Sequence, residues 1–306
     1  MNLHRNVLGV DVAGDWIDVF DAANDSSVRI FNDGIGSFVR GLPAGAFVVF
    51  EATGGCERLL MDRLAAAGIR HARVNPRQAR EFARATGKLA KTDRVDARVL
   101  AEMGCALDLR PCQPVDAARR RLGELVARRD DIVAAITAET HRLRQAHDPF
   151  VRCDIGRMLA VLRGRRASLE KEIAGHINSQ QALADEAARL RTAPGIGPAI
   201  SAIILARLPE LGQLDRRGIA SLAGLAPHAC DSGHRRGRRH VWGGRADVRR
   251  ALYLAAFIAS RRDPALKAAR DRLEAAGKPA KVAILATARK LLTILNAMSR
   301  DQRNYA

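Results

Sequence analysis

Aromatic side chains are scarce in this sequence of 306 residues, in which Phe, Trp and Tyr together make up 4%. Proteins that bind single-stranded nucleic acid by base stacking rely on rows of such side chains. The composition therefore disfavours stacking as the main mode of binding, and it leaves phosphate contacts by Arg and Lys as the expected one.

Cysteines are few, and no two of them form a C-x-x-C pair. The five are Cys56, Cys105, Cys112, Cys153 and Cys230. An odd number at irregular spacing argues against a disulfide framework and against a zinc site, and it favours a reducing compartment. Apolar runs of about 18 residues, signal peptides and lipidation motifs are not found either, so the sequence predicts a cytoplasmic protein without a membrane partner.

Acidic residues are outnumbered by basic ones. Lys and Arg total 51 against 33 for Asp and Glu, which gives a formal net charge of +18. Such an excess destabilises a compact protein by self-repulsion, and it is expected where the ligand is a polyanion. Nucleic acid is the expected partner.

Short apolar runs alternate with helical patterns in the first third of the chain. Strands are predicted at Val7–Val12, Trp16–Phe20, Val28–Phe31, Ala46–Phe50 and Ile69–Val74, and helices at about 35–42, 56–67, 76–86 and 92–105. This alternation predicts an α/β domain.

Four carboxylates stand out in this domain. Asp11 interrupts an apolar strand, where an unpaired charge is costly, and Glu51 ends the predicted central strand. Asp93 and Asp96 are three residues apart at a helix start, so they share one helix face. Carboxylates held close together favour a cation between them, and Mg²⁺ is the hard cation that prefers oxygen ligands.

The helix start also has a simpler interpretation. Thr92 suits the N-cap position, and Asp93 and Asp96 would interact favourably with the helix dipole. The order of the four acids, on the first strand, the central strand and a late helix, matches a ribonuclease-H-like nuclease core that holds two metal ions. We therefore expect an RNase-H-like α/β domain at residues 1–112.

Residues 113–190 predict a helical linker. A helix of about 115–147 ends at Asp148-Pro149, and a second helix runs to Leu190, with Arg166, His176 and Gln180 at seam positions between apolar residues. The spacing indicates a coiled-coil-like antiparallel hairpin. Oligomerisation, bracing of a nucleic-acid duplex, and a plain helical spacer all remain open.

Residues 191–306 predict a mainly helical domain. Pro194-Gly195-Ile196-Gly197-Pro198 precedes an apolar helix at Ala199–Leu208 and is typical of a helix-hairpin-helix, in which backbone N–H groups contact a phosphate. A structural turn is the alternative. A Gly- and Arg-rich loop of about 231–245 follows, then helices at Ala246–Arg261 and Ala280–Met298, and a frayed tail.

Taken together, these motifs give a specific resemblance that covers nearly the full length in order. The matching stretches are 9–12, 51–55, 74–77, 91–97, 194–198, 224–227 with 232–233, 235–239, 242–245 and 277–281. The chain resembles the transposases of the one-ten family of bacterial insertion sequences, which are relatives of Piv-type site-specific invertases. It departs from the family at Cys56, where an aromatic residue is usual, and at Gly14-Asp15, where a small residue and Lys are common.

The resemblance implies a RuvC-like domain whose D-E-D-D set corresponds to Asp11, Glu51, Asp93 and Asp96, with two Mg²⁺ ions. It also implies a catalytic serine at Ser232. Similar proteins act on donor and target DNA with a structured guide RNA, called a bridge RNA, and assemble from dimers into tetramers. The expected nucleic-acid contacts are Lys88, Lys91, Arg94, Gly195, Gly197, Arg235, Arg236, Arg238, Arg239, Arg245 and Arg249.

Three functions are consistent with the sequence. The leading one is an RNA-guided DNA recombinase in which Ser232 attacks the phosphodiester. The second is a metal-dependent junction nuclease that uses water and needs the four acids but not Ser232. The third is an inactive nucleic-acid-binding protein whose acids only cap helices and pair with arginines.

Overall fold

A computed structural model describes residues 6–88, 92–112, 116–229, 237 and 239–306. The chain divides into two compact units, Met1–Pro114 and Val115–Ala306. The first contains a five-stranded sheet and the second is predominantly helical, so the predicted combination of an α/β region and a helical region is confirmed. The finer division at residues 112 and 190 stays a prediction.

The sheet of the N-terminal unit consists of β1 (Val7–Val12), β2 (Trp16–Asp21), β3 (Ser26–Phe31), β4 (Phe47–Glu51) and β5 (Arg70–Val74). The spatial order is β3-β2-β1-β4-β5. β1, β2 and β3 form an antiparallel meander, whereas β4 pairs in parallel with both β1 and β5. All the predicted strands are confirmed, and some of their ends shift by one or two residues.

Helices cover both faces of the sheet. They are α1 (Ile35–Arg40), α2 (Arg58–Ala66), α3 (Pro76–Ala85) and α4 (Asp93–Ala106). Leu8 and Val10 of β1 share a buried cluster with α1 and α2, and Val7 shares another with α3 and α4. Since side chains alternate between the faces of a strand, Asp11 points to the same side as Val7, which is the side of α4.

The backbone of α4 lies directly against that of β1. A Cβ atom on Gly9 would lie 2.0 Å from the carbonyl oxygen of Ala97 and 2.4 Å from the amide nitrogen of Ala101. Only a residue without a side chain permits this approach. The contact fixes the first half of α4 over β1, two residues before Asp11.

The helical unit contains α5 (Ala117–Gln145), α6 (Pro149–Asn178), α7 (Gln181–Arg191), α8 (Pro198–Arg207), α9 (Arg216–Leu222), α10 (Ala246–Arg262), α11 (Pro264–Ala275) and α12 (Ala280–Asp301), with a small ribbon of β6 (Pro227–His228) and β7 (His240–Val241). α5 and α6 form the predicted antiparallel hairpin, in which Arg121 pairs with Glu172 and His176 bonds to Ala118 O. One buried cluster joins the base of the hairpin to α7, α8, α10 and α12.

Two predictions about this unit are wrong, and one helix was missed. The second hairpin helix does not continue to Leu190, because Gln180 adopts an extended conformation and separates α6 from α7. Helix α11 was not predicted, although Asp263 caps it and Pro264 begins it, as Asp148 and Pro149 do in α6. The tail is not frayed throughout, because Tyr305 donates a 2.8 Å hydrogen bond to Asp263 Oδ2.

Helix α12 is the one helix among the described residues that is long and apolar enough to cross a membrane by length and composition. Its side chains Leu291, Leu292 and Leu295 are completely buried in the core of the helical unit. Its apolar character is therefore explained by its position in the core.

Candidate active site

The four predicted acids lie at one edge of the α/β unit. Asp11 is near the end of β1, and Glu51 ends the neighbouring parallel strand. Their predecessors Val10 and Phe50 are paired in the ladder, so the two acids occupy the next position along both strands. Asp93 and Asp96 lie in the first turn of α4, which packs on β1 through Gly9.

The electrostatics of Asp11 show that these acids lie near it. The pKa of Asp11 is raised from 3.8 to about 6, first by partial burial and then by the nearby carboxylates of Asp96, Glu51, Asp93 and Asp18. A carboxyl group among so many like charges favours either a proton or a cation. The arrangement has the chemistry of a site for a hard divalent cation.

The acids lie near Asp11 but do not form a ready-made coordination shell. Within the ranges that the structure describes, no group of three or more His, Cys, Asp or Glu side chains is positioned to hold a metal ion. Carboxylates repel one another at close range, and a divalent cation between them would reverse the sign of this interaction. The donor set fits a metal, and the side chains would have to move to bind it.

The simpler interpretation of the α4 start is also observed. Thr92 Oγ1 accepts a 3.4 Å hydrogen bond from the amide of Val95, so Thr92 is the N-cap. A capped helix start and a pair of ligands are therefore compatible, because the cap fixes the turn that carries Asp93 and Asp96.

Two buried acids that the sequence analysis did not identify lie beside the set. Asp18 is the direct cross-strand partner of Asp11, and it pairs with Arg29 of β3. Glu57 accepts hydrogen bonds from the amides of Thr53 and Gly55 in the loop after Glu51, and it pairs with Arg73. Asp18 interrupts an apolar strand just as Asp11 does, so the same signal could have found it.

The basic residues around the α4 start differ in their contacts. Lys88 forms an ion pair with Glu102 of α4, and Arg94 is exposed. Lys91 lies outside the described residues. Arg94 is thus accessible to a phosphate, while Lys88 has an internal partner.

The two glycines of the Pro-Gly-Ile-Gly-Pro motif have different surroundings. Gly195 has a φ of +79°, and a Cβ on it would lie 2.3 Å from the carbonyl oxygen of Ala255 in α10. Gly197 precedes α8, and a Cβ there would meet nothing within 4 Å. Packing explains Gly195, whereas Gly197 is open to an approaching ligand.

The predicted arginines of the C-terminal loop and of the start of α10 are only partly accessible. Arg245 forms two hydrogen bonds of 2.6 and 2.7 Å with the Glu210 carboxylate, and Arg249 donates to the carbonyl of Gly243 over 2.7 Å. Arg239 is exposed. Ser232, Arg235, Arg236 and Arg238 lie outside the described residues.

Two family models match the sequence. A DEDD-type transposase model of the IS110 group matches residues 35–149, and a model described as Transposase IS116/IS110/IS902 family matches residues 187–270. The pilin gene-inverting protein of Moraxella bovis is 30% identical over 266 residues, which cover 84% of this chain and 81% of that protein. This chain belongs to the IS110 family of transposases. The enzymes of this family are DNA transposases and recombinases.

Insertion-element proteins of Streptomyces are similar over shorter stretches. The IS110 protein of Streptomyces coelicolor is 35% identical over 118 residues, which cover 38% of this chain and 29% of that protein. The IS116 protein of Streptomyces clavuligerus is 30% identical over 192 residues, with coverages of 60% and 47%.

The IS110-family models divide the predicted site residues between them. The first model spans Glu51, Asp93 and Asp96, and the second spans Gly195 and the whole Arg-rich loop with Ser232. Asp11 precedes both matched ranges. Its assignment depends on the cross-strand geometry and on its raised pKa.

Proposed function

We propose that this IS110-family transposase is an RNA-guided DNA recombinase that cuts and joins strands through a phosphoserine intermediate. The observation that supports it best is the proximity of Glu51, Asp93 and Asp96 to Asp11, whose pKa is raised by partial burial and by these carboxylates. The strand and helix positions of these acids support an RNase-H-like, RuvC-like domain at residues 1–112, followed by a helical linker at 113–190 and a serine-bearing domain at 191–306.

Asp11, Glu51, Asp93 and Asp96 would bind Mg²⁺, with two ions expected. Such ions polarise the phosphoryl oxygens and stabilise the charge that develops on the leaving oxygen. The protein contributes the placement of the four carboxylates, which depends on the contact between Gly9 and α4.

The Ser232 hydroxyl would be the nucleophile. Its Oγ forms a bond to the phosphorus, the bond from phosphorus to the 3′ oxygen breaks, and the serine proton ends on the released 3′-hydroxyl. The ester conserves the bond energy, so a 3′-hydroxyl from another strand can reverse the step without an external energy source.

Exposed basic groups would contact donor DNA, target DNA and a structured guide RNA. Arg94, Arg239 and the open side of Gly197 are accessible in the structure. Lys91, Arg235, Arg236 and Arg238 complete the set on sequence grounds. The guide RNA depends on the family resemblance and on the net charge of +18. Action on cellular DNA implies a cytoplasmic protein.

The outer surface of α6 supports self-association. Phe150, Met158 and Val161 of α6 are 80%, 49% and 54% exposed, and neighbouring exposed apolar side chains are typical of an interaction surface. A second copy of the hairpin would cover them, which would be consistent with a dimer that assembles into a tetramer.

A junction nuclease that uses water is the second candidate. It is favoured by the observation that all four acids belong to the α/β unit alone. Both candidates predict metal-dependent cutting, and they differ in the fate of the cut strand.

Incubation of the protein with Mg²⁺, guide RNA and end-labelled DNA distinguishes the candidates. The recombinase yields a protease-sensitive protein–DNA adduct that the Ser232→Ala variant does not form, although this variant still binds DNA. Free cut ends without an adduct would favour the nuclease, and an adduct that persists in Ser232→Ala would refute the serine assignment. Intact DNA would favour a protein that only binds nucleic acid.

A further inference from the structure

The sheet carries a fifth carboxylate directly opposite Asp11. Asp18 of β2 is the cross-strand Cα partner of Asp11. Directly opposed residues of an antiparallel pair point to the same face, with Cβ atoms about 5 Å apart. Asp18 therefore lies on the α4 side with Asp11, and its carboxylate raises the pKa of Asp11. Two opposed carboxylates of this kind could chelate a divalent cation by themselves.

Arg29 occupies the oxygens of Asp18 that such a cation would need. Its Nε donates to Asp18 Oδ1 over 3.0 Å, and its Nη2 donates to Oδ2 over 2.8 Å. The indole N–H of Trp16 donates to the same Oδ2 over 3.2 Å. Asp18 is only 6% exposed, so these three donors satisfy a buried carboxylate with a bidentate partner.

The position of Arg29 is itself fixed from several sides. Asp18 and Arg29 are paired residues of β2 and β3. The guanidinium carbon lies 4.6 Å from the centre of the Trp16 ring, and Phe31 meets that ring edge-on at 6.3 Å. The same Nη2 also lies 3.4 Å from Asp93 Oδ2. Arg29 thus stands between the fifth carboxylate and one of the four acids.

We propose that Arg29 is a positioning residue that neutralises Asp18, keeps it out of the metal-binding set, and so directs the cation to Asp11, Glu51, Asp93 and Asp96. The inference rests on the proposed metal-dependent function of these acids. Without Arg29, Asp18 becomes an additional ligand beside Asp11 and one positive charge is lost. The cation would then bind more tightly but in a less productive place.

The chain provides a matched control in Arg98. This arginine of α4 also pairs with an acid, Asp25, at 2.7 Å. Its guanidinium carbon lies 4.4 Å from the centre of the Phe20 ring. Its side chain is 44% exposed, against 45% for Arg29. The two arginines share their chemistry and their unit, but within the described residues Arg98 contacts Asp25 and Phe20 rather than any of the four acids.

The test is Mn²⁺ binding by the full-length protein, followed through the EPR signal of free Mn²⁺, with strand cutting measured in parallel. We expect Arg29→Gln to bind Mn²⁺ about tenfold more tightly, because a nearby positive charge is removed, and yet to cut DNA more slowly. Arg29→Lys should stay close to wild type. Arg98→Gln should not change Mn²⁺ affinity. The double variant Asp18→Asn with Arg29→Gln should return to wild-type affinity and regain cutting.

If the role of Arg29 were purely structural, Arg29→Gln would bind Mn²⁺ more weakly and would also have a lower melting temperature. That result would overturn the inference. Unchanged affinity, or tight binding that persists in the double variant, would also overturn it. These results leave the proposed function intact as long as the wild-type protein loses Mn²⁺ affinity on Asp96→Asn. A wild-type protein without such a site would overturn both.

Discussion

The two units of this transposase carry charge in different ways. In the α/β unit, partial burial and the nearby acids raise the pKa of Asp11 to about 6. In the helical unit, Arg245 and Arg249 bond to a carboxylate and to backbone carbonyls. A partly buried acid among like charges thus indicates a cation ligand, whereas an arginine in a basic stretch can be bound within its own fold.

Loss of an acid should have the largest effect. Asp11→Asn is expected to lower the strand-cutting rate about a thousandfold or more, because a carboxylate ligand is lost from the metal site. Filter binding should show that DNA affinity is retained. Asp33→Asn, which changes an exposed acid in the same unit, should cut normally. Normal cutting by Asp11→Asn would show that the acids of the α/β unit do not indicate a metal site.

A change at the contact that positions α4 should come next. Gly9→Ala places a methyl group against Ala97 O and Ala101 N, and it is expected to destabilise the α/β unit by about 2–3 kcal/mol. Urea unfolding measures the loss. Gly14→Ala is the control, because a Cβ at Gly14 meets nothing within 4 Å. Equal stabilities of the two variants would contradict the close approach of α4 to Gly9.

Arginine substitutions in the helical unit test the other side of the comparison. Arg245→Gln should destabilise the protein by about 1–2 kcal/mol, because Glu210 loses a bidentate partner. Arg239→Gln should leave stability unchanged and should reduce the salt dependence of DNA binding by about one phosphate contact. If Arg245→Gln were as stable as wild type and its DNA binding depended less on salt, Arg245 would contact DNA rather than stabilise the fold.

A smaller effect concerns pH. The pKa of Asp11 is raised on folding from 3.8 to about 6, so the folded protein binds this proton more tightly than the unfolded chain. The contribution of Asp11 to stability therefore falls as pH rises through this range and remains lost above it. Without metal at pH 7, Asp11→Asn should be more stable than wild type by about 1 kcal/mol after allowance for solvent screening.

Unfolding in urea with EDTA at pH 4 and pH 7 measures this difference, which should vanish at pH 4. The affinity for Mn²⁺ should also rise as pH increases through about 6, since the cation displaces the Asp11 proton. A variant that is less stable than wild type at both pH values would show that Asp11 is not under electrostatic strain.

Periodicity was sufficient to predict most of the fold. Alternation predicted all five strands, and the Asp148-Pro149 stop predicted the turn between α5 and α6. The break at Gln180 was missed because apolar spacing continues across it through Leu183 and Leu190, which share a buried cluster with Ile177 of α6. The same Asp-Pro signal stands at 263–264, yet α11 was overlooked.

Those site residues were predictable that stand out in the sequence by themselves. An acid inside an apolar strand identified Asp11, and the same rule applies to Asp18. The partnership of Asp18 with Arg29 was not predictable, because it depends on the β2–β3 register. The ion pair between Arg245 and Glu210 was not predictable either. It joins residues 35 positions apart, and no local sequence pattern indicates it.

The central claim is that the carboxylates around Asp11 form a metal site. A crystal of the full-length protein soaked in Mn²⁺ tests it most directly, through the anomalous signal of manganese. The account predicts two peaks among Asp11, Glu51, Asp93 and Asp96, both absent from crystals of the Asp11→Asn variant. Peaks elsewhere, or no peak at saturating Mn²⁺ above pH 7, would contradict it.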